Sequence, residues 1–328
     1  MFKVVTYSPA YTIVPTYECF NRCTYCNFRA EPGKSPWMTL NQAESIFQKL
    51  KAQVDTQKAC EILILSGEVH PQSARRQAWF ARIYELCELA LSMGFLPHTN
   101  AGPLSFDEMQ KLKEVNVSMG LMLEQLTPEL LNTVHKQAPS KVPSKRLQQL
   151  QWAGELKIPF TTGLLLGIGE TEQDWWDTLE AIAQIHLDYY HIQEVILQPH
   201  SPGQEQSLNA PPFDPRKLPY VISTARKILP ADITIQIPPN LVPDPQWLIA
   251  CIEAGARDLG GIGPLDEVNP DYPHRELHDL ERILQPTKWR LKKRLPIYPQ
   301  FDSWLNQKLQ TAVAKCRDFS CNVSTKIS

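Results

Sequence analysis

The stretch Tyr17-Glu-Cys-Phe-Asn-Arg-Cys-Thr-Tyr-Cys-Asn-Phe-Arg29 carries three cysteines at the spacing CxxxCxxC, namely Cys19, Cys23 and Cys26. Three thiolates so close in sequence can hold three irons of a cubane iron–sulfur cluster, whose irons are normally held by four cysteines. The next cysteine, Cys60, lies in an apolar run. The loop therefore predicts a [4Fe–4S] cluster with one iron open to a non-protein ligand, as in catalytic rather than structural metal sites.

A structural zinc site is the alternative interpretation of this loop. Zinc in such sites takes four protein ligands, usually as two separated pairs. No further Cys or His stands at a suitable distance in the sequence. We therefore favour the cluster.

The loop resembles the signature of radical S-adenosylmethionine enzymes, including the aromatic Tyr25 before the third cysteine. The resemblance implies that S-adenosylmethionine chelates the open iron through its amino and carboxylate groups. It also implies that the reduced cluster cleaves the sulfonium to give a 5′-deoxyadenosyl radical, with reduced ferredoxin or flavodoxin as the electron donor.

The overall composition is that of a globular protein with a sizeable core. Of 328 residues, 43% are hydrophobic and 21% are charged, and the formal net charge is −2. Nothing in this balance favours a nucleic-acid partner. No stretch has the length and apolarity of a signal peptide or a membrane span. The eight cysteines are too sparse for a disulfide framework, and a cluster loop needs reduced thiols. We therefore expect a cytoplasmic protein with no membrane partner.

Short apolar strands alternate with amphipathic helices along the chain, which is typical of a parallel α/β fold. Three of the helix starts, at Thr39, Ser105 and Thr171, carry capping-box spacings. Eight strands of this kind predict a (β/α)8 TIM-type barrel or a slightly opened relative of it. The predicted strands are Tyr11–Thr16, Glu61–Leu65, Phe95–Thr99, Val117–Leu123, Phe160–Leu166, His191–Leu197, Thr234–Ile237 and Ala256–Leu259.

A Pro-rich stretch, Arg294-Leu-Pro-Ile-Tyr-Pro299, is the first obvious linker. It predicts a barrel domain over residues 1–293 and a short C-terminal extension over residues 294–328, with one helix at Phe301–Ala314.

Glycines concentrate at one end of the predicted strands. Barrels build their active sites at the carboxyl ends of the strands, where glycine lets a backbone approach a ligand closely. The pattern predicts a binding site at that rim. The glycines are Gly67, Gly102, Gly120, Gly163, Gly167, Gly169, Gly260, Gly261 and Gly263.

Two short motifs resemble elements that bind S-adenosylmethionine in the same superfamily. Ser66, Gly67 and Glu68 stand where a Gly-Gly-Glu tripeptide is common, and the resemblance implies a backbone contact to the methionine amino group. Leu165, in the Gly-rich stretch Phe160–Glu170, replaces an isoleucine whose backbone meets adenine. Taken alone, each motif is equally consistent with a strand end followed by a turn.

Three further polar residues are candidate contacts to S-adenosylmethionine. Glu124 ends an apolar strand and resembles a carboxylate that accepts hydrogen bonds from the ribose hydroxyls. Arg146 resembles the arginine that binds the methionine carboxylate, a role that suits the guanidinium fork. Asn100 follows the third predicted strand. The alternatives are a salt bridge at the rim for Glu124 and an exposed surface position for Arg146.

Beyond the superfamily, residues 7 to 264 resemble the lyase subunits that complete the deazaflavin ring. The resemblance implies that a partner radical enzyme first joins the phenol ring of tyrosine to 5-amino-6-(ribitylamino)uracil. The present chain would then take this small-molecule adduct, abstract hydrogen from it, close the ring and release ammonia, with methionine and 5′-deoxyadenosine as by-products. Polar residues expected at the rim to bind the substrate or move protons are Glu194, Gln198, His200, Asn240 and Asp258.

His200 is the proposed base among them, because the unperturbed pKa of histidine is about 6.5. A histidine flanked by Pro199 and Pro202 is also consistent with an exposed loop.

Three other functions compete with this one. The nearest is the partner radical enzyme, which the flanks of the cysteine loop disfavour. A sulfur-inserting enzyme of the biotin synthase type would need further cluster ligands, and no convincing set is present. A non-catalytic iron–sulfur electron carrier would normally close its cluster with four cysteines.

Overall fold

The chain forms a single sheet of parallel strands surrounded by helices in a computed structural model that describes residues 2–53 and 59–324, with side chains to residue 317. The strands are β1 (Lys3–Ile13), β2 (Glu61–Leu65), β3 (Leu96–Asn100), β4 (Ser118–Gly120), β5 (Phe160–Leu166), β6 (Ile192–Pro199), β7 (Thr234–Gln236), β8 (Asp258–Ile262) and β9 (Trp289–Lys293). The helices are α1 (Leu40–Lys51), α2 (Arg76–Ser92), α3 (Phe106–Lys113), α4 (Pro143–Glu155), α5 (Glu172–Tyr189), α6 (Leu218–Ile228), α7 (Pro245–Ala254), α8 (Leu277–Leu284) and α9 (Gln307–Ser324).

The first eight strands close into a barrel. Each pairs in parallel with the next, and β1 pairs with both β2 and β8. All seven residues of β5 are buried, as expected for a strand covered on both faces. The predicted TIM-type barrel is confirmed in its closed form.

The predicted helix starts are confirmed at atomic level. Thr39, Ser105 and Thr171 each accept a hydrogen bond from the backbone N–H three residues on. In each case the side chain at that third position accepts a hydrogen bond from the backbone N–H of the capping residue. Helices α1, α3 and α5 therefore begin where local sequence specifies.

Several element boundaries differ from the sequence prediction, and three of the differences change the architecture around the barrel. Strand β1 starts at Lys3 rather than Tyr11, because its first half pairs with β9, a strand the sequence analysis missed. Strand β4 ends at Gly120, because the chain turns away and reaches a positive φ of 67° at Glu124. The predicted tail helix starts later, at Gln307, after a 3₁₀ turn over Pro299–Trp304.

The segment after β9 closes the amino end of the barrel. The Arg294 N–H donates to the Tyr7 carbonyl (2.8 Å). The Pro296 carbonyl accepts from Ser118 Oγ (2.6 Å) and Gln193 Nε2 (3.0 Å). The first residues of the predicted extension thus form a floor under the barrel, and the division into two domains stays a prediction.

None of the helices in the described part of the chain combines the length and apolarity needed to cross a bilayer.

Candidate active site

The cysteine loop follows β1 and is tied by its backbone to two other segments. Phe20 N–H donates to the Glu68 carbonyl (3.0 Å), just after β2. Arg22 N–H donates to the Gln137 carbonyl (2.7 Å), and Thr24 N–H to the Val134 carbonyl (3.1 Å). All three loop cysteines remain partly exposed. These bonds hold the thiols at the carboxyl end of the barrel.

Gly67 is required where the cysteine loop crosses the end of β2. A Cβ at this position would overlap the backbone of Glu18, and the Gly67 N–H donates to the Thr16 carbonyl (2.8 Å). Ser66 Oγ donates to the Gly67 carbonyl and accepts from Trp79 Nε1 (3.0 Å). Gly67 thus packs the loop against the barrel and Ser66 links the end of β2 to α2, while their predicted contacts to S-adenosylmethionine stay a prediction.

Glu68 and Arg146 meet beside the loop. Glu68 accepts from Asn21 Nδ2 (2.8 Å) and lies 3.3 Å from Arg146 Nη2. Arg146 is 2% exposed and donates from Nη1 to the Met122 carbonyl (2.5 Å). The alternative of an exposed surface arginine is therefore wrong. Its Nε is buried without a hydrogen-bond partner among the described residues.

Glu124 lies in the same region in a strained backbone conformation. Its φ of 67° is uncommon for a residue with a side chain. Its carboxylate forms a buried ion pair with Lys141. Burial acts to raise the pKa of Glu124, but Lys141 and Arg146 outweigh it and hold the pKa below its usual value. A carboxylate that stays ionised at this depth is suited to accept hydrogen bonds from hydroxyl groups.

Tyr25 contacts a histidine that the sequence analysis missed. The Tyr25 hydroxyl lies 2.9 Å from His135 Nε2, and Lys141 Nζ lies 5.8 Å from the Tyr25 ring centre. Burial lowers the pKa of His135 to about 4, so this imidazole is neutral at pH 7. Tyr25 also packs on a small apolar cluster formed by Leu130, Val134, Leu165 and Ile168. The predicted residues Tyr25 and Leu165 are therefore neighbours.

The three thiols of the loop suit a cluster in which each thiolate binds a different iron. Burial raises the pKa of Cys19 to about 11 and that of Cys23 to about 12, so iron must displace protons on binding. Within residues 2–53 and 59–324, no group of three or more His, Cys, Asp or Glu side chains is placed to hold a single metal ion.

The surroundings of the loop also fit a polar ligand. Several buried polar atoms in or beside the loop have no hydrogen-bond partner in the described structure, and such atoms are costly unless something pairs with them. They include Thr24 Oγ1, Asn27 Oδ1, Arg29 Nε, Ser140 Oγ and Arg146 Nε.

A cavity of about 170 Å³ runs down the barrel from this end. Asn100 and Gln198 line it near the carboxyl ends of their strands. Glu267 lines its mouth and accepts from the Tyr17 hydroxyl (2.8 Å), where the cysteine loop begins. The cavity mouth and the loop are therefore adjacent.

The rim position predicted for Glu194 and Asp258 is wrong. Asp258 is the first residue of β8 and Glu194 the third of β6, so both lie toward the amino end. There they pair with Arg294, which approaches from below. Burial and the neighbouring carboxylates of Asp258 and Glu61 raise the pKa of Glu194 against the opposing effect of Arg294.

The carboxylate of Asp258 is saturated. It accepts from Arg294 Nε (2.6 Å) and Nη2 (2.7 Å), from Thr6 Oγ1 (2.5 Å) and from the Gly260 N–H (2.7 Å). Asp258 is fully buried and holds Arg294 in place, whereas Glu194 lines the cavity.

His200 and Asn240 lie at the carboxyl end but have partners within the protein. His200 is 3% exposed, with Nε2 2.9 Å from Gln206 Oε1, so the alternative of an exposed loop histidine is wrong. Asn240 Nδ2 donates to Asp266 Oδ2 (2.8 Å) and to the Tyr272 carbonyl (2.9 Å).

Four charged or titratable residues near the barrel cavity and the loop were not predicted from the sequence, namely Lys141, His135, Glu61 and Arg294. Lys141 and His135 lie in a polar stretch between β4 and α4 without a motif. Glu61 begins a predicted strand, and a charged residue at the start of a buried strand was the one local signal available.

The chain is similar to known proteins over most of its length. The Radical SAM superfamily matches residues 13–182. The curated "7,8-didemethyl-8-hydroxy-5-deazariboflavin synthase" of Trichormus variabilis is 70% identical over 315 residues, covering 96% of this chain and 92% of the relative. Proteins of the same name from Trichodesmium erythraeum and Gloeobacter violaceus are 61% and 53% identical, each covering at least 97% of this chain and 98% of the relative.

Two solved structures share the fold. The FeFe-hydrogenase maturase HydG from Carboxydothermus hydrogenoformans superposes with a TM-score of 0.71 at 16% identity, covering 99% of this chain and 79% of that one. Methylornithine synthase superposes with a TM-score of 0.67 at 14% identity, covering 92% and 86%. At these identities the similarity shows the fold alone.

Proposed function

We propose a reaction for this chain from the premise that it belongs to the 7,8-didemethyl-8-hydroxy-5-deazariboflavin synthase family of the radical S-adenosylmethionine superfamily. As a member it is a radical enzyme that uses a [4Fe–4S] cluster and S-adenosylmethionine. The proposed reaction is that of a lyase, which closes the deazaflavin ring of the tyrosine-derived 5-amino-5-(4-hydroxybenzyl)-6-(D-ribitylimino)-5,6-dihydrouracil adduct and releases ammonia. The observation that carries the proposal is the grouping of the cysteine loop with Glu68, Arg146 and Glu124 at the mouth of the barrel cavity.

The chain's own residues would bind and orient the cofactor. Cys19, Cys23 and Cys26 would hold three irons. Arg146 would bind a carboxylate through its guanidinium, whose buried Nε has no partner among the described residues, and Glu124 would accept hydrogen bonds from hydroxyls. When bound, the reduced cluster and S-adenosylmethionine supply a 5′-deoxyadenosyl radical that removes hydrogen from the substrate.

The cavity would hold the substrate and exclude water from it. Asn100, Gln198 and Glu194 line it and are the proposed polar contacts. Asp258 would act as a positioning residue through Arg294. His200 is buried at the carboxyl end, pairs with Gln206 and is not among the residues that line the cavity, so its role as base stays a prediction.

The substrate and electrons would come from other proteins. We propose a separate radical enzyme that forms the adduct from tyrosine, and reduced ferredoxin or flavodoxin as the electron donor. The cytoplasm is the proposed compartment, because the cluster thiols must stay reduced.

The test is an anaerobic assay of the reconstituted protein with two alternative substrates. We expect deazaflavin and free ammonia from the adduct, and no consumption of tyrosine in the presence of 5-amino-6-(ribitylamino)uracil. Consumption of tyrosine with no deazaflavin from the adduct would overturn the lyase proposal and assign this chain the adduct-forming step.

A further inference from the structure

One histidine in the barrel is held in a single tautomer. Ser118 Oγ has one hydrogen, which it donates to the Pro296 carbonyl (2.6 Å). His98 Nδ1 lies 2.7 Å from the same oxygen and must therefore be the donor in that contact. Nε2 is then left with a lone pair and without a proton.

The Nε2 lone pair lies on an edge of the His98 ring, and His98 lines the cavity. A Cβ at Gly120 would come within 2.9 Å of Nε2, so the glycine keeps that edge clear. Burial, reinforced by Arg294, lowers the pKa of His98 to about 3. At pH 7 the imidazole is neutral and accepts hydrogen bonds through Nε2.

The neighbouring charged groups also present acceptors rather than donors. Glu61 and Glu194 line the cavity floor with Arg294. The guanidinium is engaged by Asp258, by Glu194 and by the Leu295 carbonyl (3.1 Å). Burial raises the pKa of Glu61 and of Glu194, but a carboxyl oxygen accepts hydrogen bonds in either protonation state. With the guanidinium engaged, Glu61 and Glu194 therefore favour a ligand rich in hydroxyl or N–H donors.

The depth of this floor selects which part of the substrate reaches it. The reacting atoms must lie near the cysteine loop, at the carboxyl end of the strands. Glu61 begins β2 and Glu194 is the third residue of β6, so the floor lies toward the opposite end. An unreactive chain with a hydroxyl on most of its carbons matches both the depth and the acceptors.

We propose that the barrel floor is the subsite for the substrate's polyol chain, with His98 Nε2 and the carboxylate of Glu61 accepting hydrogen bonds from its hydroxyls. The assignment rests on the proposed function, whose substrate carries a ribityl group.

The test compares two variants on two substrates. The kcat/KM of the wild type and of His98→Phe is measured on the ribityl adduct and on an analogue with methyl in place of ribityl. We expect His98→Phe to lose about tenfold or more on the ribityl adduct, since an unpaired hydroxyl remains. The loss on the methyl analogue should be under about twofold, because the contact is absent there. His191→Phe, at a buried histidine outside the cavity, should leave both values unchanged.

Equal losses on both substrates would overturn the subsite while leaving the lyase intact. Absence of deazaflavin from the wild type with either substrate would instead overturn the proposed function.

A second measurement uses the wild-type protein, so it does not depend on whether the variant folds. In ¹⁵N-histidine-labelled protein, the His98 Nε2 resonance should be that of an unprotonated nitrogen. It should shift on binding of the ribityl-bearing deazaflavin product and not on binding of its methyl analogue. A protonated Nε2, or an unmoved resonance in the saturated complex, would contradict the proposal.

Discussion

The two ends of the barrel use the same kinds of side chain and differ in how completely those side chains are paired. At the floor, Arg294 is bound by two carboxylates and every oxygen of Asp258 has two donors. At the carboxyl end, Arg146 has a buried Nε without a partner in the described structure, and Glu124 holds a strained backbone.

This difference distinguishes charged residues that stabilise the fold from charged residues that bind a ligand. A saturated buried ion pair closes the barrel and fixes the cavity floor. Unpaired buried donors and backbone strain are retained only where something else compensates for them. The carboxyl end therefore has the properties expected of the cofactor site, and the floor those of a scaffold that presents a few acceptors.

The largest expected effect is at the cysteine loop. Cys23→Ala should reduce S-adenosylmethionine cleavage to background and lower the iron content, because two thiolates cannot retain the cluster. Cys251→Ala, at a buried cysteine in α7, should leave both unchanged. The readouts are iron per chain and 5′-deoxyadenosine formed. Turnover by Cys23→Ala with full iron content would show that the loop does not hold the cluster.

Arg294→Met should destabilise the fold rather than weaken cofactor binding. Removing one partner of a buried ion pair costs about 3–5 kcal/mol, and here it leaves Glu194 and Asp258 without a cation. Denaturant unfolding measures the change. The matched control is Arg282→Met, at an exposed pair with Asp279, which should cost about 0–1 kcal/mol. A small effect of Arg294→Met would mean that the floor is not a structural ion cluster.

Glu124→Gln tests the other end. The variant keeps the side-chain shape and removes the charge, so we expect S-adenosylmethionine to bind about tenfold more weakly. Equilibrium binding to the reconstituted protein is the measurement. Glu129→Gln, at an exposed glutamate in the adjacent 3₁₀ turn, should bind as the wild type does. Unchanged affinity in Glu124→Gln would leave the strained conformation without a ligand-binding explanation.

The last prediction concerns the acid stability of the floor, where the effect is small near neutral pH and grows only as the pH falls. The unfolded chain protonates His98 with a pKa near ~6.5, whereas the folded protein does so only near a pKa of about 3. Between these values the unfolded state binds more protons, so stability falls as pH falls, by up to about 1.4 kcal/mol per pH unit for this residue.

His98→Phe should flatten the dependence of unfolding free energy on pH between 6.5 and 3, whatever its stability at pH 7. His278→Phe, at a largely exposed histidine, should keep the wild-type slope. An unaltered slope in His98→Phe would show that His98 takes up a proton as easily in the folded protein as in the unfolded chain.

At the carboxyl end, the cysteine loop and the helix starts could be predicted because their signals are local, whereas Lys141 and His135 carry no motif. CxxxCxxC and the tripeptide at Ser66 are short motifs, and the capping boxes at Thr39, Ser105 and Thr171 are complete within four residues. Burial periodicity then suffices for eight strands and the barrel.

The floor was not predictable in this way. Arg294 meets a carboxylate 36 residues earlier in Asp258, and it follows a strand, β9, whose sequence Trp-Arg-Leu-Lys-Lys lacks an apolar run. Asp258 was expected at the rim because its strand was predicted over Ala256–Leu259, whereas β8 begins at Asp258. Only the pairing of β8 with β1 fixes that position.

The most direct test of the account is electron paramagnetic resonance of the reduced, reconstituted protein before and after addition of S-adenosylmethionine. The account predicts a [4Fe–4S]⁺ signal that changes on addition in the wild type, and a signal that responds only at higher concentrations in Glu124→Gln. A cluster signal that S-adenosylmethionine leaves unchanged in the wild type would contradict the assignment of an open iron to the three-cysteine loop.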